Sequence, residues 1–277
     1  MKKIWIMTMM FLAGTATAIT ASSCSESKDL KDNIKATVKM EIDDNDSSSK
    51  DMKIVTQVRD VKNFSGIRIE GAPTVIYTQG SEFSVKVKGI KEVVDATIVK
   101  VNGSTLIVRI DDKFSWKTLK NIFRNGKRKY PTVYVTSPDL VNVELAGSGD
   151  FKCSGPVDTD NLNIQLNGSG DVDFKGAVIC DHLKVSVNGS GDVDIKQIEA
   201  LTSQVELIGS GDIKIGEKNV NTTTLQLIGS GDIKMAFDQC HDVTSSIVGS
   251  GDIELRGKIT GRLMKSKAGS GDYHIYL

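Results

Sequence analysis

Apolar and polar residues alternate along the chain from about residue 54 onward, and from about residue 140 this alternation recurs with a period of 20 or 21 residues. Each recurrence is centred on the tetrapeptide Gly-Ser-Gly-Asp. In most repeats, apolar residues stand two and four positions before its first glycine and four and six positions after it. The seven first glycines are Gly147, Gly168, Gly189, Gly209, Gly229, Gly249 and Gly269. Strict alternation predicts strands that bury one face, and a fixed period predicts a stack of equivalent units.

One unit of about 20 residues is too small to bury its own apolar side chains, whereas a stack buries them because each strand pairs with the same strand of the next unit. A propeller blade needs about 40 residues and four strands, and a β-sandwich gives no reason to repeat one turn at a fixed period. We therefore predict an all-β fold, a parallel β-helix (β-solenoid) with rungs of about 20 residues and right-handed winding favoured. Lys265 and Lys267 replace the usual apolar residues of the last unit, which predicts an end rung that faces solvent.

The segment before the repeats, residues 54–140, also alternates and predicts strand-rich N-terminal rungs. Two alternating runs flank Gly71, which predicts a degenerate unit of the same kind. Asn102-Gly103 lies between two further runs and predicts a β-hairpin, because both turn positions need positive φ. Residues 90–96 predict one short helical turn. We place the seven-repeat solenoid at residues 141–277.

The Gly-Ser-Gly-Asp element is explained structurally as the corner of each rung. Glycine lacks Cβ and reaches positive φ, so it suits a sharp corner with neighbours about 4.8 Å above and below, and aspartate accepts backbone N–H groups in turns. The alternative is a calcium-binding column of carboxylates, formed by Asp150, Asp171, Asp192, Asp212, Asp232, Asp252 and Asp272. Calcium-binding β-rolls use a nine-residue glycine-aspartate repeat, which this chain lacks. We therefore predict no metal site and no cofactor, with the calcium column as the alternative.

The first 23 residues predict an export signal, because two lysines precede an apolar run that is followed by small residues. The sequence Ala21-Ser22-Ser23-Cys24 resembles the lipobox of bacterial lipoproteins, although Ala21 takes the place of the usual leucine. The alternative is an ordinary signal peptide. We expect Cys24 to carry the lipid and residues 24–53 to form a flexible polar tether. No later run is long and apolar enough to span a bilayer, so we expect an outer-membrane-anchored lipoprotein of the cell envelope that faces the periplasm or the cell surface.

Charge and cysteine content narrow the classes of function. Without residues 1–23, 33 basic and 35 acidic side chains remain, so the balance does not indicate a nucleic-acid partner. Three cysteines follow Cys24 in the chain: Cys153, Cys180 and Cys240. An odd number in an exported protein is not a disulfide framework, and we predict buried single thiols. No cluster of cysteine and histidine predicts a zinc site.

Residues 111–130 interrupt the alternation, and they include seven basic residues and no acidic residue between positions 113 and 129. Trp116, Leu119 and Phe123 have the spacing of a short amphipathic helix. One interpretation is a surface insertion whose apolar side covers one end or flank of the sheet. The other is a contact site for anionic glycan or lipid headgroups, formed by Lys113, Trp116, Lys117, Lys120, Arg124, Lys127, Arg128 and Lys129.

A set of motifs resembles one bacterial family. The set comprises Phe64-x-x-Ile67-x-Ile69-x-Gly71, the Asn102-Gly103-x-x-Leu106 hairpin, Pro138-x-Leu140 and the iterated Gly-Ser-Gly-Asp. Together these motifs resemble the family described as "putative auto-transporter adhesin, head GIN domain", over residues 54–277. The resemblance implies a β-helical fold in a secreted protein or lipoprotein of a Gram-negative bacterium, and it provides no catalytic residues. The insertion at 113–129 is not part of the resemblance.

Three functions remain open at this point. The first is a non-catalytic adhesin, binding or structural module, with a glycan, an envelope protein or a host protein as partner and the lipid as the contact with the membrane. The second is a polysaccharide lyase or hydrolase, which needs paired carboxylates or a base beside a cation; His182 and His241 lie about three rungs apart. The third is calcium-stabilised self-association into a homo-oligomer through the solenoid ends. We favour the first, predict no enzymatic activity, and expect specific contacts where the repeat is interrupted, at 113–129, at 54–110 or at the end rung.

Overall fold

The computed structural model describes residues 53–114 and 130–277, which form a β-solenoid of two opposed sheets with one short helix. This architecture confirms the predicted fold class. In chain order the elements are β1 (Ile54–Arg59), β2 (Gly66–Gly71), β3 (Thr74–Gln79), β4 (Ser84–Ile90), α1 (Lys91–Asp95), β5 (Thr97–Asn102), β6 (Thr105–Ile110), β7 (Thr132–Ser137), β8 (Asn142–Gly147), β9 (Asp150–Cys153), β10 (Val157–Asp158), β11 (Asn161–Gly168), β12 (Val172–Ile179), β13 (His182–Gly189), β14 (Val193–Glu199), β15 (Thr202–Gly209), β16 (Asp212–Lys218), β17 (Thr222–Gly229), β18 (Asp232–Cys240), β19 (Asp242–Gly249), β20 (Ile253–Ile259), β21 (Leu263–Gly269) and β22 (Tyr273–Tyr276).

Each rung contributes one strand to each sheet. The first sheet has the order β1-β4-β7-β3-β9-β12-β14-β16-β18-β20-β22, with β10 beside β12, and the second has the order β5-β6-β2-β8-β11-β13-β15-β17-β19-β21. Through the repeats the neighbours are parallel and in register, so that Gly168 lies beside Gly147 on one side and Gly189 on the other. A strand of the second sheet therefore leads through a Gly-Ser-Gly-Asp corner into a strand of the first sheet.

The predicted apolar ladders form the core between the two sheets. Their members are fully buried: Leu145, Leu166, Val187, Leu207, Leu227 and Ile247 in the second sheet, and Phe151, Val172, Val193, Ile213, Ile233 and Ile253 in the first. A third buried side chain follows later in the middle rungs, as with Val157, Val178 and Ile198. The chain reaches it after a register shift within the first sheet, as between Phe174 and Ala177 of β12, so this third side continues the first sheet past a bulge.

The corner glycines are required by the spacing of the rungs. Gly189 has a φ of 145°, which other residues rarely adopt. A Cβ on Gly191 would stand 2.0 Å from the carbonyl oxygen of Gly170 in the rung before. The N–H groups of Ser190 and Gly191 donate to the carbonyl oxygen of Gly168 at 2.9 and 3.2 Å, so hydrogen bonds also join one corner to the next.

The N-terminal rungs do not stack in chain order. The rung of β2 and β3 pairs with β8 and β9 on one side and with β6 and β7 on the other. The chain thus builds one rung, passes beyond it to build the next, and returns to continue the stack. Antiparallel strands close this end: β4 and then β1 extend the first sheet, and β5 extends the second. Helix α1 joins β4 to β5 and buries Val93 and Val94.

The C-terminal rung ends in polar and aromatic side chains instead of a further strand. Lys265 and Lys267 are exposed, as predicted for an end rung. The ammonium of Lys267 lies 2.9 Å from a carboxylate oxygen of Asp272, and that of Lys265 lies 5.3 Å from the ring centroid of Tyr273. The Tyr273 hydroxyl donates to the carbonyl oxygen of Ser266 at 2.9 Å, which links the two sheets at this end.

Cys153, Cys180 and Cys240 are buried and form no disulfide, which confirms the prediction of single buried thiols. Burial raises the pKa of the Cys153 and Cys180 thiols to about 11, so both stay protonated at neutral pH. Within the described ranges, no helix is long and apolar enough to cross a membrane.

Candidate functional site

The aspartates of the corner column bind the backbone of the next rung. An Asp192 carboxylate oxygen accepts the N–H of Asp212 at 2.8 Å, and an Asp252 oxygen accepts the N–H of Asp272 at 2.7 Å. The Asp272 N–H and the His274 side chain hold the pKa of Asp252 below its ordinary value. In the part of the chain that the structure describes, no group of three or more His, Cys, Asp or Glu side chains is arranged to hold a metal ion. The calcium column stays an untested alternative, and the geometry gives these carboxylates a structural role.

A cleft of about 620 Å³ lies beside the corner column near the capped end of the solenoid. Its polar and aromatic lining consists of Glu70, Arg109, Asp111, Asp112, Phe114 and Tyr130, and the corners at Gly71, Gly147 and Gly168 complete it. Because β6 and β7 are the counterparts of β2 and β3, residues 111–131 take the place of a tight corner. The cleft therefore lies where the repeat is interrupted.

Ion pairs hold the polar side of this corner cleft. One guanidinium nitrogen of Arg109 lies 3.1 Å from an Asp112 carboxylate oxygen, and another lies 3.9 Å from Glu70. The guanidinium of Arg68 pairs with the other Glu70 oxygen at 2.9 Å. An Asp111 oxygen accepts the N–H of Lys113 at 3.0 Å. Each of the three cleft carboxylates therefore has a basic or backbone partner, and the cleft offers both donors and acceptors to a ligand.

The apolar side of the corner cleft is anchored to the cap. Phe114 packs with Ile110 against the buried side chains of Ile90 and Val93, which belong to the segment around α1. Tyr130 lines the cleft at the other end of the interruption. The two aromatic residues that flank positions 115–129 therefore both reach this cleft.

Of the contact residues predicted from the sequence, one lies among the residues that the structure describes. Lys113 is exposed at the edge of the described chain, next to Phe114. Seven of the predicted contacts and the lipidation site lie outside the described residues: Trp116, Lys117, Lys120, Arg124, Lys127, Arg128, Lys129 and Cys24. Sequence reasoning missed Glu70, Arg109 and Tyr130. Their positions in the sequence could have identified them, because Arg109 and Tyr130 flank the interruption and Glu70 precedes the corresponding corner.

The histidines do not assemble a catalytic group. His182 bonds to the Thr202 hydroxyl at 2.8 Å, and His241 and His274 lie 3.1 and 3.3 Å from separate aspartate carboxylates. All three are exposed and stand in different rungs or corners. Across the described ranges, none of them lines the corner cleft.

Comparison with models of known protein families shows to which family the chain belongs. Residues 63–258 match the family described as "Putative auto-transporter adhesin, head GIN domain". The chain belongs to this family. Membership confirms the resemblance seen in the motifs and indicates an adhesin-like protein that is exported or located at the cell surface. No curated protein sequence matches the chain.

Solved structures of other bacterial proteins share the fold. A putative adhesin from Bacteroides fragilis is 27% identical with a TM-score of 0.68, over 80% of this chain and 97% of its own. A putative lipid binding protein from Parabacteroides distasonis is 22% identical with a TM-score of 0.66, over 81% and 97%. A putative adhesin from Parabacteroides merdae is 17% identical with a TM-score of 0.63, over 81% and 97%. The similarity to the two Parabacteroides structures shows a shared fold alone. The family and the first neighbour fit a non-catalytic, adhesin-like module.

Proposed function

We propose that this protein is a non-catalytic binding module of the bacterial cell envelope that is anchored by a lipid on Cys24 and holds a glycan in the corner cleft. The observation that carries the proposal is the corner cleft itself: two aromatic residues, Phe114 and Tyr130, flank a fixed network of arginine and carboxylate groups. Sugar hydroxyls need donors and acceptors at fixed positions, and sugar rings pack on aromatic faces. Pockets of this composition, with a few placed polar groups, are typical ligand sites.

The paired carboxylates of the corner cleft favour ligand binding over catalysis. Its carboxylates are occupied by Arg68, Arg109 and the Lys113 N–H, whereas glycoside hydrolysis needs one protonated acid and one free carboxylate across the scissile bond. Hydrogen bonds join each rung of the β-solenoid beneath the cleft to the next, which suits a site that must keep its shape before binding. The predicted tether of residues 24–53 would let the solenoid reach away from the membrane.

The basic insertion favours an acidic glycan. Asp112, Phe114 and Tyr130, which stand at its two ends in the chain, line the corner cleft, and residues 113–129 include seven cationic residues and no acidic residue. Opposite charge raises the rate of encounter and favours one class of ligand over its neutral analogues. We therefore propose an acidic glycan as the ligand of the corner cleft.

The test uses intact bacteria that produce the wild-type chain, C24A or R109A/Y130A. Wild-type cells should adhere to surfaces coated with acidic glycans, and protease added outside should remove the protein. The C24A protein should leave the membrane fraction. The R109A/Y130A protein should remain displayed while adhesion falls. Protection of the wild-type protein from external protease, or full adhesion by displayed R109A/Y130A, would overturn the proposal.

A further inference from the structure

The outward surface of the first sheet contains a groove of about 420 Å³ that crosses β14, β16, β18 and β20. Its floor is formed by Gly216 and Ala236, which are direct neighbours on adjacent strands. Gly216 has a structural reason to be small, since a Cβ there would stand 2.4 Å from the carbonyl oxygen of Lys196. Ala236 is exposed and has no such constraint, so its small size deepens the groove.

Four cations surround this floor. Lys214 and Lys234 are adjacent on β16 and β18 and line one side. Lys196 stands on the rung before the floor and Arg256 on the rung after it. Because strands are spaced by about 4.8 Å, the four positive groups extend over about 14 Å along the solenoid. Among the described residues, Lys196 has no ion-pair partner.

The carboxylates near the groove engage Arg256 but leave the three lysines accessible. Glu254 is paired with Arg256 and its side chain is only 20% exposed. Asp194 and Asp232 lie at the limit of an ion pair, 3.9 Å from Lys214 and 3.8 Å from Lys234. Such long exposed contacts contribute little, so both ammonium groups remain available to a ligand.

An exposed aromatic ring ends the same line of residues. Tyr276 on β22 pairs with Arg256 on β20 and follows Gly216, Ala236 and Arg256 in one outward column. Its side chain is 60% exposed, and the Arg256 guanidinium lies 5.0 Å from the ring centroid. A sugar ring that leaves the groove would meet this tyrosine face.

We propose that this groove is a second binding site, distinct from the corner cleft, for a linear anionic polysaccharide that lies along the solenoid axis. Cations on successive rungs match a polymer whose carboxylates recur at regular intervals. A membrane surface is flat and would not reach a recessed floor of Gly216 and Ala236. A nucleic acid is disfavoured because the mature chain has no surplus of positive charge.

The test measures binding of the mature chain, with Cys24 replaced by serine, to immobilised polygalacturonate at about 0.15 M ionic strength. K214Q/K234Q should bind about fivefold more weakly, as expected for the loss of two exposed charge contacts. A236W should weaken binding similarly by filling the floor. The matched control is K152Q/K175Q, which removes two lysines of the same sheet that pair with aspartates at 3.5 and 3.4 Å outside the groove. Its binding should stay within about twofold of wild type.

Two further arms separate this site from its alternatives. R109A/Y130A should keep the part of polygalacturonate binding that K214Q/K234Q loses, so failure of the corner cleft and failure of the groove give different results. Neutral dextran, duplex DNA and vesicles with anionic lipid should bind more weakly than polygalacturonate. The proposal would be overturned if K214Q/K234Q and K152Q/K175Q lost polygalacturonate binding equally, or if A236W bound it as wild type does. Tighter binding of DNA or vesicles than of polygalacturonate would also overturn it.

Discussion

Thr223 donates a hydrogen bond from its hydroxyl to Oε2 of Glu217, and both side chains are fully buried between the sheets. Glu217 lies on β16 beside Phe237 of β18 and Ile198 of β14, in a ladder that is otherwise apolar. Its second oxygen has no hydrogen-bond partner, and no cation among the described residues pairs with it. Burial raises the pKa of Glu217 to about 7, and the hydroxyls of Ser203 and Thr223 oppose this rise. The solenoid therefore carries a buried acid that is protonated below neutral pH.

This buried acid makes stability depend on pH. The pKa of Glu217 is about 7 in the folded chain against an ordinary value of 4.5, so the folded state holds the proton more tightly. Its stabilising contribution is complete below pH 4.5 and is lost as pH rises through 7. The loss amounts to about 3 kcal/mol if the full shift applies. Urea unfolding at pH 5 and pH 8 should show this loss in wild type and a smaller one in E217Q. Equal pH dependence in both proteins would contradict it.

The corner glycines are expected to tolerate no side chain between rungs. Replacing Gly191 by alanine places a Cβ 2.0 Å from the carbonyl oxygen of Gly170, which cannot move without shifting the preceding rung. We expect G191A to lower the free energy of unfolding by about 3 kcal/mol. Gly155 is the matched control, because a Cβ there has no heavy atom within 4 Å. Urea unfolding that gives equal losses for G191A and G155A would contradict the close approach of the corners.

The aspartate column offers a direct comparison between a structural role and calcium binding. D192N keeps an oxygen that can accept the Asp212 N–H, whereas D192A removes it. We expect D192A to lose about 1 kcal/mol of stability and D192N to lose less than half of that. Thermal unfolding should be unchanged by calcium or by a chelator. A rise of Tm with calcium that both variants abolish would instead establish the calcium column.

The lysines of the end rung are expected to keep solenoids from stacking end to end. Lys265 and Lys267 occupy positions where the preceding repeats are mostly apolar, and like charges on two facing ends repel. We expect wild type to sediment as a monomer and K265V/K267I to associate as its concentration rises. A dimer of wild type that K265V/K267I does not strengthen would contradict a repulsive role of these two lysines.

The periodic part of the fold follows from local rules. The apolar positions around each Gly-Ser-Gly-Asp corner repeat seven times, and each copy imposes the same register on its neighbour, so the ladders and corners were predictable. The unit at Gly71 and the hairpin at Asn102-Gly103 were also predictable, because their turn residues allow few conformations.

The order of the N-terminal rungs was not predictable from pattern alone. Alternation places β6 and β7 on a core, but it does not state on which side of β2 and β3 they stack. The corner cleft depends on that order, since it brings Arg109 beside Glu70. Glu217 was missed for another reason. An isolated charged residue in a strand is normally solvated, although the regular alternation of β16 places Glu217 inward, two residues after the buried Ile215.

The most direct test of the central claim is equilibrium binding of the mature chain, with Cys24 replaced by serine, to a panel of acidic and neutral glycans, followed by sizing of each glycan after incubation. Wild type should bind at least one acidic glycan. K214Q/K234Q should keep part of this binding, and R109A/Y130A should lose that part. Every glycan should keep its length. Shortening of a glycan by wild type would contradict a non-catalytic module. If R109A/Y130A keeps all the binding that K214Q/K234Q keeps, binding through the corner cleft is contradicted.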